Sequence, residues 1–484
     1  MSVAGAAARG GASAARVRAG LVHPLALGAC VFAACVVGII SRPEHKLATF
    51  WPTNALLLGI LVRWPHLARQ PLAWAAALAG YVGADLAFGA PASSALVLTA
   101  ANLVSVVAGL RVAGALRIRE TAFSHPMGVL KLFLACMSAS ALAGLAGVVV
   151  GRLLFDMAGP DAFGYWMSAE LVCYLSLLPA VLLAPVPGAL PHAPPGSAAW
   201  LAGRRFRAAP LAGLALSVLA ATWMGGAGAL MLPVPALLWC ALAYSLFATA
   251  LLTLGLSVWT LVAIGYGLMP LRSPLPEMQE IISLRVGVAF LAVAPLTVAV
   301  VNAARDRLLR ALDHAASHDS LTRVLNRDAF FSRAHALLAS LAVDGRPAAL
   351  LLLDVDHFKR VNDLHGHVAG DRVLETLARR MSGALRPGDL LGRYGGEEFI
   401  LLLPDASPAA AAEAAARLRV LVAAEAVALD SGAALAITAS VGCAAVPAVR
   451  PGQGVDAMLH AADQALYRAK AGGRDRVEQA PVEA

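Results

Sequence analysis

The sequence predicts a multi-span α-helical membrane domain followed by a soluble α/β domain of the split βαβ kind. Three observations carry this reading. Of the 484 residues, 59% are apolar and only 14% charged, against about 25% charged in an ordinary soluble domain. The charges divide sharply, with 17 Lys+Arg and 8 Asp+Glu in residues 1–304 but 21 and 22 in residues 305–484. The second half also alternates strand-like and helix-like patterns, with one direct strand-to-strand link. A wholly soluble chain is excluded. Nucleic-acid binding is disfavoured, because the positive excess belongs to the apolar half, where loop charges account for it.

A bilayer span takes about 20 mostly apolar residues. Ten segments meet or approach that length: 24–41, 47–62, 71–90, 94–116, 128–151, 162–186, 210–231, 234–250, 252–271 and 283–303. They give a membrane domain over residues 21–304 with 8–10 helices, preceded by a cytoplasmic arm at 1–20. Arg9, Arg16 and Arg18 precede the first span, which reads as retained because no persuasive cleavage site follows it. Arginines recur on alternate loops, at 63 and 69, at 117 and 119, at 204, 205 and 207, and again at 305, 307 and 310. By the positive-inside rule this leaves the C-terminal half in the cytoplasm. The run from Ala236 to Leu271 would be about 54 Å long as one helix, too long for one span, so it must split. Of the six cysteines, Cys30, Cys35, Cys136, Cys173 and Cys240 lie in apolar segments and Cys443 in a strand-like run. No CxxC pair occurs, so neither a disulfide framework nor a thiolate metal site is expected. Asn54, Asp85, Asn102 and Glu170 stand within apolar segments. Polar groups at membrane depth are costly to bury, which makes these four the candidate sensor residues.

Residues 305–317 read as a helical connector. Val301, Leu308 and Ala315 are seven apart and Leu312 shares their stripe, a spacing that suits a short parallel coiled coil and hence a dimer.

In the soluble half, patterning predicts helix 326–342, strand 348–356, helix 367–384, strands 389–394 and 398–404, helix 407–427, strand 434–446 and helix 455–471. The buried run Ala348-Ala349-Leu350-Leu351-Leu352-Leu353 ends in Asp354-Val355-Asp356, with the two acids on one face by period two. Carboxylates at strand ends of an open sheet fall where ligands bind. Gly395-Gly396, between Leu390–Tyr394 and Glu397–Leu402, reads as a two-residue hairpin turn with positive φ, leaving room for a phosphate. Glu397 and Glu398 bring further charge to the same edge. Carboxylates converging on a triphosphate would repel it unless Mg²⁺ bridges them.

Together these segments resemble a GGDEF domain of the diguanylate cyclase family over residues 318–477. The resemblance rests on Asp319-Ser320-Leu321-Thr322-Arg323, Asp354-Val355-Asp356-His357-Phe358-Lys359, Gly395-Gly396-Glu397-Glu398-Phe399 and the closing run Ala461 to Lys470 with Gly473-Arg474. It implies a cyclase palm-like fold and condensation of two GTP to cyclic di-GMP with release of two pyrophosphates. It also implies two Mg²⁺ per active site, with Mn²⁺ as a substitute, held by Asp354, the Val355 carbonyl, Glu397 and Glu398. Glu397, Glu398 and Lys359 are then the catalytic candidates. Asn362, His367 and Asp371 would meet the guanine end of the substrate, and Lys470 and Arg474 its terminal phosphates. One departure is Asp475, where Asn is usual. Because each domain binds one GTP, two copies must face each other, so a homodimer is expected.

Arg386-Pro387-Gly388-Asp389 stands at the family's inhibitory-site offset, and Arg417 takes the place of its second arginine, which implies a product-inhibitory site. Phe50-Trp51-Pro52-Thr53-Asn54, with Tyr165-Trp166, Glu170 and Pro179, resembles membrane-associated sensor domains of the first type, the MASE family. That implies a sensor in a bacterial cytoplasmic membrane, with the lipid bilayer as a partner and no nucleic acid. A catalytically silent cyclic di-GMP receptor is the alternative function. Residues 478–484 are expected to be a tail.

Overall fold

A computed structural model describes residues 23–41, 50–185, 198–270, 275–429, 432 and 434–481. The arm at 1–20 and residues 482–484 lie outside the described residues, as do the side chains of Arg204, Arg205 and Arg207. The chain divides into two compact units, Met1–Arg307 and Leu308–Ala484.

The first unit is helical. Six of its described helical stretches are long and apolar enough to cross a membrane: His23–Ile40, Ala92–Ala115, Pro126–Leu154, Gly159–Leu183, Leu246–Gly265 and Glu277–Ser317, which is continuous into the second unit. The segment expected at 47–62 yields only Thr53–Arg63, 11 residues, and at 1.5 Å per residue it rises about 16 Å, half of a hydrocarbon core of about 30 Å. The 236–271 run does split, but between Ala243 and Leu246 instead of at 250–252. Ser245 sets that break: its Oγ accepts from the Ala248 N–H at 3.3 Å and caps the second helix. The short helix stops just before Trp64-Pro65, where Pro65 opens the next helix, and Arg63 donates to the carbonyls of Val181, Leu182 and Ala184 at the C-terminal end of helix Gly159–Leu183, where carbonyls lack intrahelical partners.

The second unit is a five-stranded sheet of order β2-β3-β1-β6-β7, with β1 Ala348–Val355, β2 Leu390–Arg393, β3 Glu398–Pro404, β6 Ala439–Val446 and β7 Val477–Pro481. The short β4 Val427–Ala428 and β5 Ala434–Leu435 pair separately. Strand β1 is central and antiparallel to both β3 and β6, the arrangement a split βαβ unit produces. Every residue of β1 is buried, because helices cover both faces. Ala349, Leu351, Leu353 and Val355 pack towards helices His367–Ala384 and Pro408–Ala423, and Ala348, Leu350 and Leu352 towards helices Arg327–Asp344 and Val455–Ala471.

The structure differs from the sequence expectation in three ways. Helix Phe358–His365 follows β1 directly, where no element was expected. The 434–446 strand is interrupted, so that only Ala439–Val446 joins the main sheet. Strand β7 pairs in parallel with β6 across the expected domain end at 477, so residues 478–481 belong to the sheet and not to a tail.

Candidate active site

Asp354 is the last inward residue of β1 on the face covered by helix Val455–Ala471, and register sets it opposite Glu398 of β3 and Ser440 of β6. It is 6% exposed, and its Oδ2 accepts from the Lys470 Nζ at 2.7 Å. Burial pushes the Asp354 carboxyl up, Lys470 opposes this, and neighbouring Asp356 adds to it. Burial and the charge of Asp354 also push Glu397 and Glu398 up. The edge of the sheet is thus a crowd of carboxylates in want of positive charge, and a lysine ammonium already stands there. Oxygen donors of this kind suit a hard divalent ion. Among the described residues no three His, Cys, Asp or Glu side chains are gathered into a formed cage, so the acids are neighbours in place with Lys470 among them.

Asp356 shares the face of Asp354 and has a different occupation. Its carboxylate accepts from the Thr438 hydroxyl at 2.7 Å, the Ser440 hydroxyl at 2.7 Å and the Asp475 N–H at 3.0 Å. A carboxylate with three donors is a structural tie, and this one pins the loop that carries Arg474 to the strand end. Arg419 holds the other side of that loop, donating to Asp475 Oδ1 at 2.7 Å.

The Gly-Gly turn departs from expectation. Tyr394 N–H donates to the Glu398 carbonyl at 2.8 Å, which leaves a three-residue loop, Gly395-Gly396-Glu397, and neither glycine has positive φ. Their value is space: a Cβ on Gly395 would lie 2.7 Å from Glu398 Oε2, while one on Gly396 would meet nothing within 4 Å. Arg393 fixes this loop. Its guanidinium donates to the Gly396 carbonyl at 2.7 Å and to Asp319 Oδ1 at 3.1 Å. Burial tends to raise the Asp319 carboxyl, but the Thr322 hydroxyl and N–H, with Arg393, hold it below its ordinary value.

Lys359 and Asn362 are one helical turn apart on Phe358–His365. Lys359 is exposed, as are His367 and Asp371 at the start of the following helix. Asn362 Oδ1 is buried with no hydrogen-bond partner, and it lies so close to Gly370 that a Cβ there would come within 1.9 Å of it. An orphaned buried acceptor against Gly370, the residue before the exposed Asp371, has the chemistry to accept from an N–H donor. At the other end of helix His367–Ala384, the Arg386 N–H donates to Asp389 Oδ2 at 2.8 Å. Asp389 therefore binds the Arg386 backbone, and the Arg386 side chain is exposed. Arg417, also exposed, stands on the neighbouring helix, which Arg380 ties to the first through the carbonyls of Val422 and Glu425.

Residues 316–476 match the family model described as diguanylate cyclase, GGDEF domain. The C-terminal unit is a GGDEF domain of the diguanylate cyclase class. A probable diguanylate cyclase DgcF of Escherichia coli O157:H7 is 28% identical over 380 residues, 77% of this chain and 76% of that protein. That alignment is more than twice as long as the GGDEF match, so the likeness runs on into the apolar half. Diguanylate cyclase DgcP of Pseudomonas aeruginosa is 44% identical over 162 residues, 34% of this chain and 24% of that protein. The crystal structure of the GGDEF domain of DgcB from Caulobacter crescentus in complex with c-di-GMP is 35% identical, covers 34% of this chain and 93% of that one, and gives a TM-score of 0.32.

The GGDEF domain was legible in the sequence, but the roles of Asp356, Arg393, Thr438 and Arg419 as struts were not. In the helical unit, three of the four candidate sensor residues meet. Asn54 Nδ2 donates to Asn102 Oδ1 at 3.0 Å and to Glu170 Oε1 at 2.6 Å. Tyr81, which sequence reasoning missed, donates its hydroxyl to Asn54 Oδ1. Asp85 lies on the helix of Tyr81.

Proposed function

We propose that the protein is a membrane-bound, Mg²⁺-dependent and product-inhibited diguanylate cyclase whose helical half regulates its output. Each of two GTP molecules gives its 3′-hydroxyl to the α-phosphate of the other, so that two phosphodiester bonds form and two pyrophosphates and two protons leave. The observation that carries this reading is the carboxylate edge of Asp354, Glu397 and Glu398 beside Lys470. Asp354, the Val355 carbonyl, Glu397 and Glu398 would hold Mg²⁺, which supplies positive charge to the attacking and leaving oxygens. Glu397 accepts the proton of the 3′-hydroxyl. Lys470 and Arg474 hold the terminal phosphates and Lys359 meets charge developing on the transferred phosphoryl group, as fixed cations do. His367 flanks the guanine. Asn362 Oδ1 and Asp371 accept from its N1–H and amino group.

Gly370→Ala tests the guanine reading. The added methyl displaces Asn362, so KM for GTP is expected to rise about tenfold while protein stability changes little; an unchanged KM would remove Asn362 from the site.

Two copies must face each other to close the ring. Val301, Leu308 and Leu312 are exposed along helix Val293–Ser317, a stripe that a second connector helix would cover. The exposed Arg386 and Arg417 guanidiniums would bind cyclic di-GMP through guanine edges and phosphates. The direct experiment is GTP turnover by the purified full chain with Mg²⁺, resolved by chromatography, beside Arg386→Ala. Cyclic di-GMP should accumulate and then stall in the parent, whereas the variant should continue to several-fold higher product. Equal stalling in both would count against the inhibitory site, and no product from either would favour a receptor.

A further inference from the structure

We propose that Arg419 is a positioning residue for the terminal phosphates of GTP, acting through Asp475 on the turn that presents Arg474. The inference rests on the substrate reading above, in which Lys470 and Arg474 hold those phosphates. Lys470 stands in the last turn of helix Val455–Ala471 and is fixed by Asp354. Arg474 lies beyond that helix, on the turn that leads into β7, and its side chain is exposed. What places it is the backbone of the turn.

That backbone is strained. Gly473, Arg474 and Asp475 have φ of 112°, 61° and 42°, three successive residues on the left-handed side, two of them with a Cβ. Residues with side chains enter this region singly and at a cost, and a pair persists only where the surroundings hold it. The Arg474 N–H donates to the Ala469 carbonyl at 3.0 Å, and Arg476 Nε donates to the Arg474 carbonyl at 3.3 Å. The Asp475 N–H donates to Asp356 Oδ2 at 3.0 Å. Arg419, from helix Pro408–Ala423, closes the set: its Nη1 donates to the Asp475 carbonyl at 3.0 Å and to Asp475 Oδ1 at 2.7 Å. An isolated half-exposed ion pair contributes little. This one grips main chain and side chain of a left-handed residue together, so it bears on the direction in which Arg474 points.

Arg419 has an electrostatic effect as well. Asp475 puts a carboxylate one residue from the guanidinium that meets a phosphate, and like charges repel. The Asn that is usual at this position brings no such charge. With Arg419 paired to it, the carboxylate is offset and the charge of Arg474 acts unopposed. The turn stands beside the acidic edge, since the Arg474 charge opposes the upward push on the Asp354 carboxyl.

The test separates terminal phosphates from the rest of the nucleotide. The full chain in detergent with Mg²⁺ is dialysed to equilibrium against guanosine 5′-(α,β-methylene)triphosphate, which cannot release pyrophosphate, and against GMP. Arg419→Gln should weaken the triphosphate analogue about fivefold and leave GMP unchanged, and in GTP turnover the loss should fall on KM more than on kcat. Adding Asp475→Asn should restore most of the affinity, because the stranded carboxylate goes and Asn keeps the left-handed conformation. Unchanged affinity in Arg419→Gln, equal losses for both nucleotides, or a loss that Asp475→Asn does not recover would each overturn the role. A parent chain that binds neither nucleotide would sink the cyclase reading and this inference with it, whereas binding by the parent without an effect of Arg419→Gln overturns the inference alone. If Arg419→Gln does not fold, Arg419→Lys keeps the charge but not the planar fork. It should weaken the analogue about twofold and spare GMP, and no change would again overturn the proposal.

Discussion

Asp354→Asn is expected to lower cyclic di-GMP formation by at least about 100-fold, the scale on which one preorganised charge at a reacting centre is lost. Asn keeps the shape of the side chain at the end of β1 and its register opposite Glu398, so the sheet should survive. What changes is the charge: Lys470, 2.7 Å from Asp354 Oδ2, loses its carboxylate partner, and the edge loses the acid most deeply placed between β3 and β6. Initial rates at saturating GTP and Mg²⁺, with melting temperatures measured in parallel, separate the chemical effect from unfolding. A variant that melts like the parent and keeps most of its rate would take Asp354 out of the machinery.

The largest stability effect is expected at Gly442. Strand β6 runs so close beneath helix Val455–Ala471 that a Cβ at this position would lie 2.0 Å from the Ala462 carbonyl oxygen and 2.4 Å from the Leu466 nitrogen. Both are backbone atoms of a helix packed along the strand, and neither can turn aside as a side-chain tip would. Gly442→Ala must therefore push the helix off the sheet, at a cost of about 3 kcal/mol or more. Because the same helix carries Lys470 to Asp354, activity should fall with stability. Chemical denaturation followed by circular dichroism would show the midpoint drop; an unchanged midpoint would mean that the helix slides without loss.

Much of this was legible in the sequence for physical reasons. The β1 run is apolar up to Leu353 because helices cover both of its faces, so its sudden end in Asp354 marked the acidic edge of the sheet. Sequence motifs likewise brought Glu397, Glu398, Asn362 and Lys470 to one domain. What escaped was whatever depended on partners far along the chain. Asp356 looked equivalent to Asp354 by alternation, yet Thr438, Ser440 and Asp475 consume it. The Gly395-Gly396 pair suggested positive φ, whereas the chain needed room for the Glu398 carboxylate. Strand β7 was missed because its polar Glu478 and Gln479 hide an edge position. In the helical unit, composition located Asn54, Asn102 and Glu170 singly, but only packing revealed that they touch, and Tyr81 carried no signal as one aromatic among many apolar neighbours.

The Arg393 bracket has a mechanical consequence. One rigid guanidinium joins Asp319, two residues beyond the end of the connector helix at Ser317, to the Gly396 carbonyl of the signature loop. A planar fork has no slack to absorb a shift at one end. The opening turn of the domain and the loop beside its acidic edge are therefore stiffly geared: a tug of a few tenths of an ångström at Asp319 reaches Gly396 through a single side chain, without the sheet between them having to deform.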